Sequence, residues 1–257
     1  MLFAIDVGNS EIAAGVFEKD RLTTSFRVHT DAHATADELG LIFTDLLRQR
    51  DIDKRGIDAV AVSNVVPDLA RAIDELSRRY LHCTPLVVGP NVEIGMRVRY
   101  DDPHQVGGDR IANAVATKSI HGLPAVIVDF GTATTFDAVS ADGDYLGGAI
   151  APGMLVSLEA LVAHAARLSR VDLVTPSQAI GRNTTESMQV GLIYGYASLV
   201  EGLVGRIKAE LGGQATVVAT GGLAEMMAPW ISCIDTVDVG LTLFGLRLIH
   251  ELNTREH

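Results

Sequence analysis

Cysteine is scarce. The 257 residues hold two, Cys83 and Cys233, far apart and beside apolar runs. They lack neighbours at metal-ligand spacing, which argues against a zinc centre, and no disulfide framework is implied. Two reduced thiols packed in a core fit a reducing cytoplasm. Runs of basic charge are also missing. There are 21 Lys and Arg against 32 Asp and Glu, a net charge of −11, and Lys54-Arg55 and Arg78-Arg79 are isolated pairs. Such a balance repels duplex nucleic acid and anionic membranes. A nucleotide is still admissible, because backbone amides and a divalent cation can hold its phosphates. The longest uncharged helical stretch, Ser187 to Val200, falls short of the roughly 20 residues of a membrane span. No basic segment followed by a long apolar run opens the chain, so no signal peptide is expected. Of the eight histidines only His29 and His33 are four apart, in a predicted loop, and all read as surface or packing residues. Apolar residues are plentiful, at 47%, enough for a sizeable core.

The chain contains a repeat. Leu2-Phe3-Ala4-Ile5-Asp6-Val7-Gly8-Asn9-Ser10 resembles Val126-Ile127-Val128-Asp129-Phe130-Gly131-Thr132-Ala133-Thr134. Each is an apolar, strand-favouring run that ends in Asp-x-Gly and then small polar residues. Further strands follow each copy: Ile12 to Phe17 and Leu22 to Val28 in the first half, Thr135 to Ser140 and Tyr145 to Ile150 in the second. Helical spacing then predicts helices over Ala36 to Arg50, Pro67 to Tyr80, Ile111 to Lys118, Met154 to Ser169, Thr184 to Leu211, Leu223 to Trp230 and Leu241 to Leu252. Strands are predicted over Asp58 to Ser63, Pro85 to Gly89 and Ala215 to Thr220. The order β-β-β-α-β-α-β thus occurs twice, which implies two α/β lobes with helix-covered sheets. The boundary is expected near 119–124, giving lobes 1–120 and 121–257, with the last helix free to pack on either. Gly191, Gly195, Gly202 and Gly205 fall inside the longest helix, each costing about 1 kcal/mol relative to alanine. Close packing against another element, of this chain or a second one, would explain them.

A strand that ends in Asp-x-Gly and turns back as a hairpin presents backbone amides, and glycine permits close approach of a ligand. Asp6 can hold a magnesium ion and Asn9 and Ser10 add donors. One such hairpin is an ordinary turn; two, one per lobe, can face each other across a cleft and grip phosphates from opposite sides. Gly107-Gly108-Asp109-Arg110 opens a helix. Asp109 there is either a helix cap or a general base, with Arg110 beside it for a phosphate or carboxylate. Gly147 to Gly153 is a glycine-rich turn able to line a pocket, and Thr220-Gly221-Gly222 a small-residue turn able to lie against a nucleoside.

Taken in order, these motifs resemble the type III pantothenate kinases of bacteria, within the actin-like ATPase and sugar kinase superfamily. The set runs Asp6-Val7-Gly8-Asn9-Ser10, Tyr100-Asp101-Asp102-Pro103, Gly107-Gly108-Asp109-Arg110 and Asp129-Phe130-Gly131-Thr132-Ala133-Thr134. It continues through Gly147 to Gly153, Gly181-Arg182-Asn183-Thr184, Thr220-Gly221-Gly222 and Leu241-Thr242-Leu243. The resemblance implies duplicated ribonuclease H-like lobes with an ATP cleft between them. It places the ATP phosphates on Asp6, Val7, Gly8, Asn9, Ser10, Glu11, Ile12, Ala13 and Thr132. Pantothenate falls to Tyr100, Gly107, Gly108, Asp109, Arg110 and Thr184, with Asp109 as the base. Asp129 is assigned to a monovalent cation, potassium or ammonium, alongside magnesium with ATP. A homodimer is also implied. Three positions depart from the usual pattern: Gly108 replaces alanine, Ser10 replaces threonine, and Ser169 stands where proline is frequent. None removes a proposed catalytic group. The expected activity is ATP-dependent phosphorylation of pantothenate, the first step of coenzyme A biosynthesis. The alternatives are a kinase for another small hydroxylated acceptor and a non-catalytic regulatory relative.

Overall fold

In the computed structural model, which describes residues 1–89 and 91–254, the chain forms two compact units. The first comprises Met1–Ala116 together with the chain from Gly240 onward; the second is Thr117–Val239.

The first unit opens with β1 (Leu2–Val7), β2 (Glu11–Glu18) and β3 (Arg21–His29), an antiparallel meander. Helix α1 (Ala36–Arg48) leads to β4 (Ala59–Asn64), and α2 (Ala70–Tyr80) leads to β5 (Pro85–Val87). Both β4 and β5 add in parallel, giving the order β3-β2-β1-β4-β5. The central strand β1 is apolar on both faces, as burial on both sides requires. Phe3, Phe26 and Phe43 meet there with centroids 5.7–6.1 Å apart, in tilted and edge-on contacts. Helix α1 starts on a capping box. The Thr35 hydroxyl accepts from the Glu38 amide at 3.2 Å, and the Glu38 carboxylate accepts from the Thr35 amide at 2.8 Å. The bonds that the Thr35 amide and hydroxyl donate to that carboxylate hold the Glu38 carboxyl below its usual pKa.

Helix α3 (Gly108–Ile120) follows, and the division between units falls within it. The second unit repeats the meander with β6 (Ala125–Phe130), β7 (Ala133–Val139) and β8 (Tyr145–Pro152). After α4 (Met154–His164) and α5 (Thr184–Glu210), β9 (Thr216–Thr220) joins β6 in parallel. A short α6 (Ala224–Met227) precedes β10 (Thr236–Val237), and the strand order β10-β9-β6-β7-β8 matches that of the first unit. The buried face of α5, with Leu192, Ile193, Val200 and Val204, packs in the core of this unit.

The chain then returns to the first unit as α7 (Leu241–Thr254). This helix, left free to pack on either lobe by its sequence, lies in the first unit, where Gly245 lets it touch α3. A Cβ at Gly245 would collide with the backbone of Ala112, and the Thr242 hydroxyl donates to Asn113 Oδ1 at 2.8 Å. Departures from the expected helices have local causes. The helix expected from Pro67 begins as a 3-10 turn, Pro67–Leu69, before α2. The helix expected over Leu223 to Trp230 breaks into α6 and a 3-10 turn at Ala228–Trp230, because Pro229 has no amide to donate. Helix α4 ends at His164, five residues early, where Ala165 turns extended. Helix α5 is long and apolar enough, by length and composition alone, to cross a membrane, which the count of its uncharged stretch did not suggest.

Candidate active site

In the first unit, the β1–β2 turn is set by one close backbone contact. Gly8 donates its amide to Glu11 O at 3.1 Å, and a Cβ at Gly8 would lie 2.9 Å from that same oxygen. The Thr30 hydroxyl donates to Gly8 O at 2.7 Å and the Thr30 amide to Ser10 O at 3.0 Å, so β3 braces the turn from behind. Asn9, Ser10 and Glu11 are left exposed at its tip, while Ile12 is buried and Ala13 half-buried. Asp6 lies at the end of β1, opposite Ala13 of β2 and Ser63 of β4.

The start of α3 comes against the same strand end. A Cβ at Gly108 would lie 3.2 Å from Ser63 Oγ and 3.4 Å from Val88. Gly107 O accepts the first helical bond, from Ile111 at 3.1 Å, so Gly107 caps the helix and Asp109 sits inside its first turn. Asp109 is therefore not the N-cap, the structural role its sequence position allowed. Its Oδ1 accepts from the Arg110 amide at 2.8 Å, and a side chain at Gly107 would collide with that oxygen. Burial pushes the Asp109 carboxyl above its usual pKa of 3.8, against smaller downward pulls from the Arg110 amide and the Arg110 charge. Arg110 is buried and Tyr100 half-buried. A desolvated carboxylate with a raised pKa at the start of a helix has the properties of a general base.

In the second unit, the β6–β7 turn repeats the device. Gly131 donates to Ala133 O at 3.1 Å, and Thr132 is exposed at the tip. Asp129 stands where Asp6 stands in the first sheet, opposite Thr135 of β7 and Thr220 of β9. Gly221, at φ +92°, closes over it: a Cβ there would collide with Asp129 Oδ1 and approach the Phe130 backbone at 2.7 Å. Thr184, the first residue of α5, is exposed beside its cap Asn183, whose Oδ1 accepts from Glu186 at 2.9 Å.

The first unit thus carries Asp6 to Ala13, Tyr100 and Gly107 to Arg110, and the second carries Asp129, Thr132 and Thr184. Among the described residues no cluster of three or more His, Cys, Asp or Glu could hold a metal unaided. One carboxylate per strand end fits a cation completed by a ligand's phosphates and water, the usual manner for magnesium. Two surface concavities of the first unit, about 560 and 260 Å³, are lined by none of these residues. The sequence reading missed Ser63, and took Thr220 only as part of a small-residue turn, not as the partner of Asp129. Both hydroxyls are buried and each faces an Asp from the parallel strand. Their signal was a polar residue closing an apolar strand at the same level as the Asp-x-Gly motif.

A β-β-β-α-β-α-β unit, repeated with one added helix and with an acidic hairpin in each copy, gives the actin-like ATPase and sugar kinase fold. An inorganic polyphosphate/ATP-glucomannokinase from Arthrobacter has this fold (TM-score 0.54, 16% identical, 98% of each chain covered). So does a ROK hexokinase from Thermus thermophilus (TM-score 0.51, 14% identical, 100% of this chain and 99% of that one). A Campylobacter jejuni protein assigned to a Baf family of transcriptional activators shares it as well (TM-score 0.65, 19% identical, 99% and 100% covered).

The type III pantothenate kinase family model matches residues 2–206. Curated type III pantothenate kinases are similar over nearly the whole length. That of Moorella thermoacetica is 50% identical over 99% of this chain and 100% of its own. That of Myxococcus xanthus is 49% identical over 98% and 99%. The chain belongs to the type III pantothenate kinase family.

Proposed function

We propose that this chain transfers the γ-phosphoryl group of ATP to the primary hydroxyl of pantothenate, giving 4′-phosphopantothenate and ADP, the first step of coenzyme A biosynthesis. The observation that carries the mechanism is Asp109, a desolvated carboxylate with a raised pKa held in the first turn of α3. In the transfer, the bond from the γ-phosphorus to its bridging oxygen breaks, and one forms to the hydroxyl oxygen. Asp109 takes the hydroxyl proton, and ADP leaves with the bridging oxygen. Phosphoryl transfer asks mostly for alignment and charge neutralisation. Asp6, Val7, Gly8, Asn9, Ser10, Glu11, Ile12, Ala13 and Thr132 would hold the ATP phosphates. Tyr100, Gly107, Gly108, Arg110 and Thr184 would hold pantothenate. Asp6 would take magnesium and Asp129 a potassium or ammonium ion, and each would supply positive charge against the phosphates.

The active form is proposed to be a homodimer. Gly191, Gly195, Gly202 and Gly205 are spaced four, seven and three residues apart, which at 100° per residue puts them on one face of α5. A Cβ at any of them would meet nothing within 4 Å, so the packing expected for these glycines is not made by the described part of this chain. A second copy would account for the stripe. The two free cysteines suit a reducing cytoplasm.

The test is a coupled ADP assay with magnesium, ATP and a panel of acceptors, with product identified by mass. Pantothenate should stimulate ADP release and 4′-phosphopantothenate should form. Phosphorylation of sugars but not of pantothenate would replace the acceptor, and no ADP release with any acceptor would leave the regulatory reading.

A further inference from the structure

We infer that Tyr196 is a positioning residue for ATP, acting on the Thr132 turn through the end of β8; this rests on the reading of Thr132 as a phosphate-holding residue. The side chain belongs to the buried face of α5 and is 8% exposed. Its hydroxyl donates to the carbonyl of Pro152 at 2.9 Å and makes a short contact with Ser157 Oγ, one turn into α4. Pro152 pairs in register with Ala133, the residue after Thr132. That rung is a non-hydrogen-bonded one, so the Pro152 carbonyl points away from β7 and toward Tyr196. The flanking bond is made by the next residue: Gly153 donates its amide to Thr132 O at 3.0 Å. The approach is close enough to require glycine, since a Cβ at Gly153 would collide with the carbonyl oxygens of Gly131 and Thr132.

The route is therefore continuous and short. Tyr196 fixes one carbonyl of the Pro152–Gly153 peptide pair, and the adjoining amide fixes the carbonyl of Thr132. Without the hydroxyl, the Pro152–Gly153 peptide at the end of β8 is held only from the β7 side. The Thr132 turn is then free to shift relative to the phosphates it would grip. A misplacement of this kind weakens binding of the nucleotide and leaves the acceptor's contacts around Gly107 to Arg110 alone.

The test is Tyr196→Phe, which removes one oxygen and keeps the packed ring. Loss of a neutral hydrogen bond predicts a rise in the KM for ATP of about three- to tenfold, with kcat within about twofold and the KM for pantothenate unchanged. Ser157→Ala, which leaves the Tyr196–Pro152 bond, should keep the ATP KM at the parent value. Gly153→Ala pushes on the Thr132 carbonyl directly and should reproduce the ATP-selective rise, which keeps the inference testable should Tyr196→Phe fold poorly. An unchanged ATP KM in a folded Tyr196→Phe variant would overturn the assignment. So would equal rises for ATP and pantothenate with a falling Tm, which is general loosening. Should the parent chain not phosphorylate pantothenate, that failure belongs to the proposed function. Equilibrium titration of ATP into parent and Tyr196→Phe protein then decides the role of Tyr196 by itself.

Discussion

Replacing Asp109 by asparagine separates chemistry from folding. Asparagine keeps the shape and an Oδ1 to accept from the Arg110 amide, the bond seen at 2.8 Å. What it removes is the ability to take a proton. A positioned base contributes about 10²–10⁴-fold, so kcat should fall by that factor, equivalent to about 3–5 kcal/mol of activation free energy. Stability should move little, and its sign is set by burial. The folded Asp109 carboxyl has a pKa above its unfolded value of 3.8, with burial as the leading cause. Between those two values the folded state binds more protons than the unfolded one, so this group's contribution is full below 3.8 and is lost as pH rises through the folded-state value. Asparagine carries no such loss. The variant's Tm relative to the parent should therefore be equal or higher at pH 7 than at pH 3.5. In the parent, kcat/KM should fall on acidification with an apparent pKa above the ordinary carboxylate range, and that inflection should vanish in the variant's residual activity. The assays are steady-state ADP release and calorimetry at the two pH values. Near-normal turnover in a folded Asp109→Asn protein would refute the base. A variant destabilised more at pH 7 than at pH 3.5 would refute the desolvation argument.

Asp129→Asn should abolish any gain in activity when sodium is replaced by potassium or ammonium; equal parent activity in all three salts would remove the cation from the proposal. Gly221→Ala forces a side chain into φ +92° against Asp129 and Phe130, and should lower the Tm by several degrees and weaken the cation response; a parental Tm would show that the turn relaxes without cost. Light scattering at micromolar concentration should give the mass of two chains, and a mass of 27.3 kDa would sink the dimer. Gly195→Leu should convert that dimer to monomer while leaving far-UV helicity intact, because a Cβ at that position meets nothing within 4 Å in the described part of the chain; an unchanged dimer would move the interface off the α5 stripe.

The duplication was legible because its signal is local. A central strand buried on both faces must be a continuous apolar run, and Leu2 to Ile5 and Val126 to Val128 are such runs, each stopped by an aspartate before a glycine turn. Helix periodicity found α1 and α5 for the same reason. The two-residue strand β10 is too short to carry a pattern. The placement of α7 depends on one glycine, Gly245, meeting Ala112 at a separation no periodicity reports. Asp109 could be read as cap or base from sequence; the backbone settled the capping question, since Gly107 O takes the first helical bond.

The repeated register explains why Ser63 and Thr220 matter. In both sheets the aspartate ends the first strand, and the parallel neighbour ends beside it in a buried hydroxyl, Ser63 facing Asp6 and Thr220 facing Asp129. A sequence motif shows only the aspartate, because the hydroxyl lies 57 residues away in the first unit and 91 in the second. The hydroxyls are not interchangeable in their surroundings. Ser63 abuts Gly108, whereas Thr220 leads directly into the Gly221 turn that covers Asp129. The sheet therefore delivers the same acid to the same place twice, and the chain attaches a different element beside each. At Asp6 it is the helix that carries Asp109; at Asp129 it is a glycine turn with no titratable group. Under the proposed mechanism, that asymmetry, rather than the fold they share, would place proton transfer in the first unit and charge compensation in the second.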